Sequence, residues 1–148
     1  MADSGPNIVF EILPEEAPTW AYPNVELVPV LKARLRGTVG DPSLQELQRL
    51  RAVVSLINAD DENRPVNKYL KGTKRVGYAD ISHNGHDQIF MCFEFSGLSI
   101  TREGYYKLRV DLWKRSSHTN QPDQEVGLYA ETRAFFCSTV YEYLLTAA

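Results

Sequence analysis

The sequence predicts an all-β protein, an immunoglobulin-like β-sandwich with one or two short helices. About seven short segments alternate between apolar and polar residues, and turn-forming residues separate them. The chain has 148 residues, which fits one domain. Its 43% apolar and 24% charged residues are typical of a globular protein and exclude wholesale disorder and collagen-like repetition.

The chain begins with an acidic, proline-rich segment over residues 1–22, and residues 23–148 are predicted to form the sandwich. Inside the first segment, the apolar run Ile8–Leu13 predicts an added outer strand. Val25–Arg36 alternates between apolar and charged residues, which is typical of a half-buried strand. Pro29 lies within it and lacks a backbone donor, so we expect this strand to lie at an edge or to carry a bulge.

A short helix is predicted over Ser43–Leu50. Ser43 and Glu46 have the spacing of a capping box, and leucines follow at helical intervals, so about two turns are expected. The β-branched segment Ala52–Asn58 then predicts a buried strand. A polar loop follows over residues 59–65, and the basic region 66–75 is weakly patterned, with room for some helix.

The second half of the chain alternates more clearly. Strands are predicted over Val76–Ile81, Ile89–Phe95, Tyr106–Leu112, Val126–Thr132 and Phe135–Tyr141. The segments Ile89–Phe95 and Tyr106–Leu112 have the clearest alternation. Since only a short corner separates them, we expect these two strands to pair.

The two cysteines, Cys92 and Cys137, are too few for a disulfide framework in a chain of this length. The first residues, Met-Ala-Asp-Ser-Gly-Pro, lack the basic start and apolar core of a secretory signal. The longest uncharged stretches fall short of the roughly 18 apolar residues of a membrane span. We therefore expect a reducing, intracellular location, no membrane partner, and two cysteines that serve as core thiols.

A zinc site is the first chemical hypothesis, because His83 and His86 are three residues apart and Cys92 follows. Cys137 or His118 would supply a further ligand. A structural zinc site usually has two closely spaced ligand pairs, and this sequence has one. The turn dipeptide Asn84-Gly85 between the histidines favours a solvated turn, so no metal is expected.

Catalytic motifs are lacking as well. The sequence has no Gly-x-Ser-x-Gly elbow and no P-loop, and its acidic pairs, such as Glu15-Glu16, lie in predicted loops. We therefore expect no enzymatic activity, no cofactor and no small-molecule substrate.

Charge is distributed unevenly along the chain. Residues 1–31 hold five acidic and no basic residues, whereas residues 32–115 hold 15 basic and 10 acidic residues. A basic middle of this kind either binds a polyanion or is a solvated surface. The candidate phosphate contacts are Lys32, Arg34, Arg36, Lys68, Lys71, Lys74 and Arg75. The overall pI near 5.6 is lower than expected for a self-sufficient DNA-binding domain.

Three aromatic residues, Phe90, Tyr105 and Trp113, fall on the faces opposite the apolar stripes of their segments. They form either an exposed patch at a dimer interface or part of a second buried sheet face. We expect a homo- or heterodimer, with these three residues as its candidate interface.

The stretch Phe93–Trp113 resembles the signature hairpin of the fungal velvet domain. It contains Phe95, separated by two residues from the triplet Leu98-Ser99-Ile100, then the corner Glu103-Gly104 and the pair Lys107-Leu108, without gaps. Looser similarities extend over most of residues 23–141, at Pro23–Leu27, Val53–Asp60, Leu70–Thr73 and Ala134–Tyr141.

This resemblance implies a velvet-type transcriptional regulator located in the nucleus and the cytoplasm. Such fungal proteins form homo- or heterodimers with another velvet-domain protein, and they control sporulation, light response and secondary metabolism. The implied fold is similar to the Rel-homology DNA-binding domain, and double-stranded DNA is a possible partner.

The chain departs from the family pattern in two places. Velvet proteins that bind DNA usually carry several basic residues before the first conserved strand, where this chain has Glu11, Glu15 and Glu16. The usual lysine-rich stretch with Phe-Pro-Gly and the final helix do not follow the last predicted strand, which ends at Tyr141. Both departures weaken DNA contact, so the alternative is a non-DNA-binding dimerisation or scaffold module that modulates another velvet protein.

Overall fold

The structure is a computed structural model that describes residues 8–38, 46–84, 88–116 and 120–139. Its strands are β1 (Val9–Glu11), β2 (Trp20–Ala21), β3 (Leu31–Thr38), β4 (Leu50–Asn58), β5 (Arg64–Pro65), β6 (Leu70–Lys71), β7 (Arg75–Val76), β8 (Asp80–Asn84), β9 (Gln88–Phe95), β10 (Ser99–Ile100), β11 (Gly104–Lys114), β12 (Gln124–Glu131) and β13 (Phe135–Cys137). Single 3₁₀ turns lie at Pro14–Glu16, Leu47–Arg49 and Asn67–Tyr69. In these ranges, no helix is long and apolar enough to cross a membrane.

Most of these strands belong to two sheets. The four-stranded sheet has the order β1-β3-β9-β8, and the seven-stranded sheet has the order β2-β13-β11-β4-β5, with β12 beside β11 and β7 beside β4. Strand β11 pairs with β4 from Tyr106 opposite Asn58 to Lys114 opposite Leu50. A separate ladder joins β10 to β6.

The core lies between the inner faces of the two sheets. One sheet contributes Leu31, Ala33, Leu35, Met91, Phe93 and Phe95, and the other contributes Val54, Leu56, Leu108, Val110 and Leu112; all are buried. Alternate residues of each strand point to this core because side chains change sides at every residue of a strand. The prediction of an all-β sandwich is confirmed.

The expected edge position of the Val25–Arg36 strand is wrong. Strand β3 starts at Leu31, so Pro29 lies before the ladder and removes no hydrogen bond from it. The predicted outer strand is present as β1 and pairs with β3 on the side opposite β9. Since β1 covers this side, β3 lies inside the sheet.

The expected pairing of the two clearest strands is also wrong. Strand β9 lies in the four-stranded sheet and β11 in the seven-stranded sheet. The connection between them includes β10, which pairs with β6 and leads the chain from one sheet to the other. Two strands close in sequence therefore lie in different sheets, and each buries its apolar side in the core.

The predicted helix over Ser43–Leu50 is wrong in the part that the structure describes, and residues 39–45 lie outside that part. Glu46 has a left-handed conformation with φ of 58°, and only the 3₁₀ turn Leu47–Arg49 follows it. Leu50 is already the first residue of β4 and is fully buried. Burial of this leucine in the sheet therefore outweighs the local helical spacing.

Three smaller boundaries also differ. The region 66–75 holds one 3₁₀ turn and the short strands β6 and β7, and the strand predicted over Val76–Ile81 is divided between β7 and β8. The last strand ends at Cys137, and residues 140–148 lie outside the described ranges.

Gly72 allows the connection after β6 to pack closely against the connection between β9 and β10 at Gly97. Its φ is +112°, and a Cβ atom there would lie 2.5 Å from the carbonyl oxygen of Gly97. Gly127 also has a positive φ, of +90°, but nothing lies within 4 Å of the corresponding position. Both positions have a backbone conformation that favours glycine. Only at Gly72 would a side chain also clash with a neighbouring backbone.

We expect Gly72→Ala to lower the free energy of unfolding by about 3 kcal/mol or more, because strain and a backbone clash combine. Gly127→Ala should lower it by about 1–2 kcal/mol, from strain alone. Urea unfolding of the two variants measures the difference. Equal losses for both would contradict the close packing at Gly72.

Candidate protein-interaction surface

Three aromatic side chains lie next to each other on the outer face of the seven-stranded sheet. We call Trp20, Tyr105 and Phe136 the aromatic row. The register sets Phe136 opposite both Trp20 and Tyr105, because β13 runs between β2 and β11. The ring centroid of Phe136 is 5.7 Å from that of Trp20 and 4.5 Å from that of Tyr105. Phe136 is 48% exposed, whereas Trp20 and Tyr105 are half-buried, so the row is open to solvent mainly at Phe136.

Hydrogen bonds hold the backbone under the aromatic row. The indole Nε1 of Trp20 donates to the carbonyl oxygen of Ser138 at 3.1 Å, and the amide of Ser138 donates to Ala21 at 2.9 Å. The Glu103 carboxylate accepts from both the amide and the hydroxyl of Thr139, at 3.1 and 3.0 Å. The row is therefore built on fixed strands and not on a free loop.

Apolar surface continues beside the aromatic row. Strand β2 is at the edge of the seven-stranded sheet and has two residues. Next to it lies a shallow pocket of about 350 Å³, whose lining includes Trp20, Tyr22, Val25 and Val28. Val28 is 75% exposed and Val25 is 51% exposed. An apolar surface of this kind at a sheet edge is typical of a protein contact.

The structure separates the three aromatic residues that the sequence suggested as a dimer interface. Tyr105 belongs to the aromatic row, but Trp113 lies at the other end of β11, opposite Arg51 and Glu125. Phe90 is in the four-stranded sheet, opposite Arg36 and Ser82. The three residues therefore form no single patch.

The cations of β3 are paired with carboxylates. Arg34 donates to both carboxylate oxygens of Glu16, at 2.7 and 2.5 Å. Arg36 lies 3.9 Å from Glu11, and Lys32 lies 3.5 Å from Glu94. The bond from Arg34 lowers the pKa of Glu16 and raises that of Arg34, despite partial burial of both groups. Two acidic residues of the N-terminal segment thus neutralise two of the predicted phosphate contacts.

The remaining predicted phosphate contacts lie in the region 68–75. Arg75 pairs with Asp123, and the ammonium of Lys74 donates to the carbonyl oxygen of Asn67 at 3.2 Å. The ammonium of Lys68 lies 5.2 Å from the ring centroid of Tyr69. Among the described residues, no carboxylate pairs with Lys68, Lys71 or Lys74. The seven cations therefore form two groups, one on β3 and one in the region 68–75, and the two groups differ in how many of their charges pair with carboxylates.

The residues of the zinc hypothesis are likewise dispersed. His83 is exposed on β8, Cys92 is half-buried on the outer face of the four-stranded sheet, and Cys137 is buried in the other sheet. His86 and His118 lie outside the described ranges. Within those ranges, no three His, Cys, Asp or Glu side chains are placed to hold a metal ion.

The two cysteines differ in their surroundings. Cys137 is a core thiol as expected, and burial, with a smaller effect of Glu103, raises its pKa to about 11. The expectation of a core position is wrong for Cys92, because its alternation places it on the outer face of β9, opposite Arg34. Partial burial raises the pKa of this thiol as well. Both groups are therefore protonated at neutral pH.

Sequence reasoning missed two of the three members of the aromatic row. Phe136 had a usable signal, since the alternation of Phe135–Cys137 places its middle residue away from the core. Trp20 lies in a two-residue strand among prolines, too short for any periodic pattern.

Comparison with known proteins gives no family for this chain. No protein-family model matches it, and no curated protein matches it. Among solved structures, it has a weak similarity to self-complemented MyfA, the major subunit of Myf fimbriae from Yersinia enterocolitica. That match has 11% identity and a TM-score of 0.33, and covers 84% of this chain and 95% of the fimbrial chain. The velvet resemblance stays a prediction.

The pair Arg34–Glu16 should stabilise the protein at neutral pH. Since the folded-state pKa of Glu16 is lowered, this contribution is present above the unfolded pKa of about 4.3 and disappears as pH falls through the folded value. We expect Glu16→Gln to reduce the free energy of unfolding by about 0.5–1 kcal/mol at pH 7, and by much less at about pH 3.

Glu15→Gln is the matched control, because Glu15 is exposed and none of the described residues pairs with it. Urea unfolding at the two pH values should show no pH-dependent difference between this variant and the wild type. A loss for Glu16→Gln that stays constant down to pH 3 would contradict the ion pair.

Proposed function

We propose that this chain is a velvet-like regulator module that acts through contact with a second velvet-type chain, in a homo- or heterodimer. The observation that carries the proposal is the exposed aromatic row at the edge of the seven-stranded sheet. An immunoglobulin-like strand plan similar to the Rel-homology domain belongs to the same proposal, as do a role in fungal development and secondary metabolism and a location in the nucleus and the cytoplasm.

The chemistry of the aromatic row suits a folded protein partner. Aromatic side chains are enriched at the centres of protein interfaces, where they bury large areas at a low cost in conformational entropy. Phe136 lies at the centre of the row, with Trp20 and Tyr105 on its two sides. A second sandwich chain with an apolar face of its own would cover the row and the neighbouring pocket together.

The charges of β3 favour this proposal over DNA binding by the chain alone. Phosphate contacts need cations that are free to replace the counterions of DNA. Arg34 and Arg36 instead contact Glu16 and Glu11, and a phosphate would meet those carboxylates at close range. This arrangement supports the non-DNA-binding dimerisation module among the two readings of the sequence.

We expect Phe136→Glu to weaken the dimer by at least tenfold, because it places a charge at the centre of the aromatic row. Tyr129→Glu is the control, because Tyr129 is 53% exposed on the same sheet but lies outside the aromatic row. The Cζ atom of Arg109 lies 3.9 Å from the centroid of the Tyr129 ring. Sedimentation over a range of concentrations, and co-purification with velvet-type proteins, measure the association. The proposal fails if the wild type is monomeric at high concentration and binds no velvet-type protein, or if both variants associate equally.

A second candidate function is DNA binding through Lys68, Lys71 and Lys74, which no described carboxylate neutralises. In a gel-shift titration of the dimer, replacing all three by Ala should flatten the slope of log affinity against log salt by about 2.7. Replacing Lys32, Arg34 and Arg36 by Ala should change the slope much less, because carboxylates already pair with them. Absence of a salt-sensitive complex with the wild type would exclude this candidate.

A further inference from the structure

Three arginines line a small pocket at one end of the seven-stranded sheet. The pocket has a volume of about 280 Å³ and is lined by Gln48, Arg49, Arg51, Arg115 and Ser116. It forms where β4 begins and β11 ends, because the register sets Leu50 opposite Lys114. The amide of Arg115 donates to the carbonyl oxygen of Arg49 at 2.8 Å and joins the two segments. We call this the arginine pocket.

Arg51 is held in place by neutral groups. Its Nη1 donates to the carbonyl oxygens of Gln48 and Leu50, both at 2.8 Å. A Cβ atom on Gly77 would lie 3.6 Å from the same nitrogen, so the guanidinium also packs near that backbone. These contacts use the two hydrogens of Nη1 and leave three N–H donors of the guanidinium without a partner among the described residues. The half-buried side chain is thus held in one orientation by acceptors that carry no charge of their own.

The surroundings of the arginine pocket carry an excess of positive charge. Glu46 is shared by Arg49 and Lys114, at 2.9 and 3.6 Å. Asp123 pairs with Arg75 and accepts the amide of Ser116. Arg51 and Arg115 form no ion pair with the described carboxylates. The amide of Ser116 and the guanidinium of Arg75 lower the pKa of Asp123, and Arg115 adds a smaller electrostatic effect, so Asp123 partly offsets the charge of Arg115. The cations around the pocket therefore outnumber the two carboxylates, which favours an anion there.

We propose that the arginine pocket binds the dianion of a phosphomonoester. The planar fork of a guanidinium matches the oxygen atoms of a phosphoryl group, and bonds between the two are charge-assisted. The pocket is compact and its cations converge from two adjoining segments, which suits one terminal phosphoryl group better than an extended nucleic-acid backbone. The excess of positive charge at the pocket matches the dianion of a monoester better than the monoanion of a diester. This site is separate from the aromatic row and does not depend on the function proposed above.

The test titrates the full chain with inorganic phosphate, O-phosphoserine and the diester dimethyl phosphate, by calorimetry and by NMR of the arginine Nε–H groups. Phosphate and O-phosphoserine should bind saturably, and the tighter of the two tells whether the source is free phosphate or a phosphorylated group. Binding should strengthen from pH 5.5 to 7.5, because the second pKa of a phosphomonoester is about 6 whereas the arginines stay charged.

Arg115→Gln should weaken O-phosphoserine binding about tenfold and leave the melting temperature of the unliganded protein unchanged, since Arg115 is exposed. Arg133→Gln removes an exposed guanidinium outside the pocket and should bind like the wild type. Arg51→Lys keeps the charge but loses the fork, and should also bind more weakly. The proposal is overturned if the wild type shows no saturable binding, if Arg115→Gln binds like the wild type, or if dimethyl phosphate binds more tightly than O-phosphoserine.

Discussion

The pairing of β11 with β4 is the constraint on which the rest of the molecule depends. Nine consecutive residue pairs fix the register between these strands, and side chains alternate between core and solvent along both. On its other edge, β11 pairs first with β13 and then with β12. One strand therefore sets the position of Leu108 in the core, of Tyr105 in the aromatic row and of Arg115 at the arginine pocket.

The two outer faces of the sandwich differ in chemistry as a consequence. The four-stranded sheet exposes cations on β3, and the carboxylates of Glu11 and Glu16 cover two of them. The seven-stranded sheet exposes an aromatic row at the β2 edge, and an excess of arginine at the end where β11 finishes. The formal net charge of −3 therefore does not show how charge is distributed over the surface. The strand register decides which charged side chains lie together.

The alternation of apolar and polar residues along single strands predicted the sandwich and most of its core. Every second residue of β3, β4, β9 and β11 is apolar and buried, and this pattern is the same whichever strands lie next to each other. The pairing of strands depends on contacts between residues that are distant in sequence. No local pattern therefore indicated that β9 and β11 lie in different sheets. The ion pair of Arg34 with Glu16 joins residues 18 apart and likewise had none. Leu50 shows the converse, since its helical spacing was clear and burial in the sheet overrode it.

In the proposed function, the aromatic row is the surface through which this chain binds a second velvet-type chain. The two tryptophans, Trp20 and Trp113, lie on the same sheet, and only Trp20 belongs to the row. The most direct measurement follows their two indole N–H signals by NMR as the dimer forms, with rising concentration or with added velvet-type partner. If the row is the interface, the Trp20 signal shifts or broadens and the Trp113 signal does not. Association that moves the Trp113 signal and leaves that of Trp20 unchanged would contradict this placement of the interface.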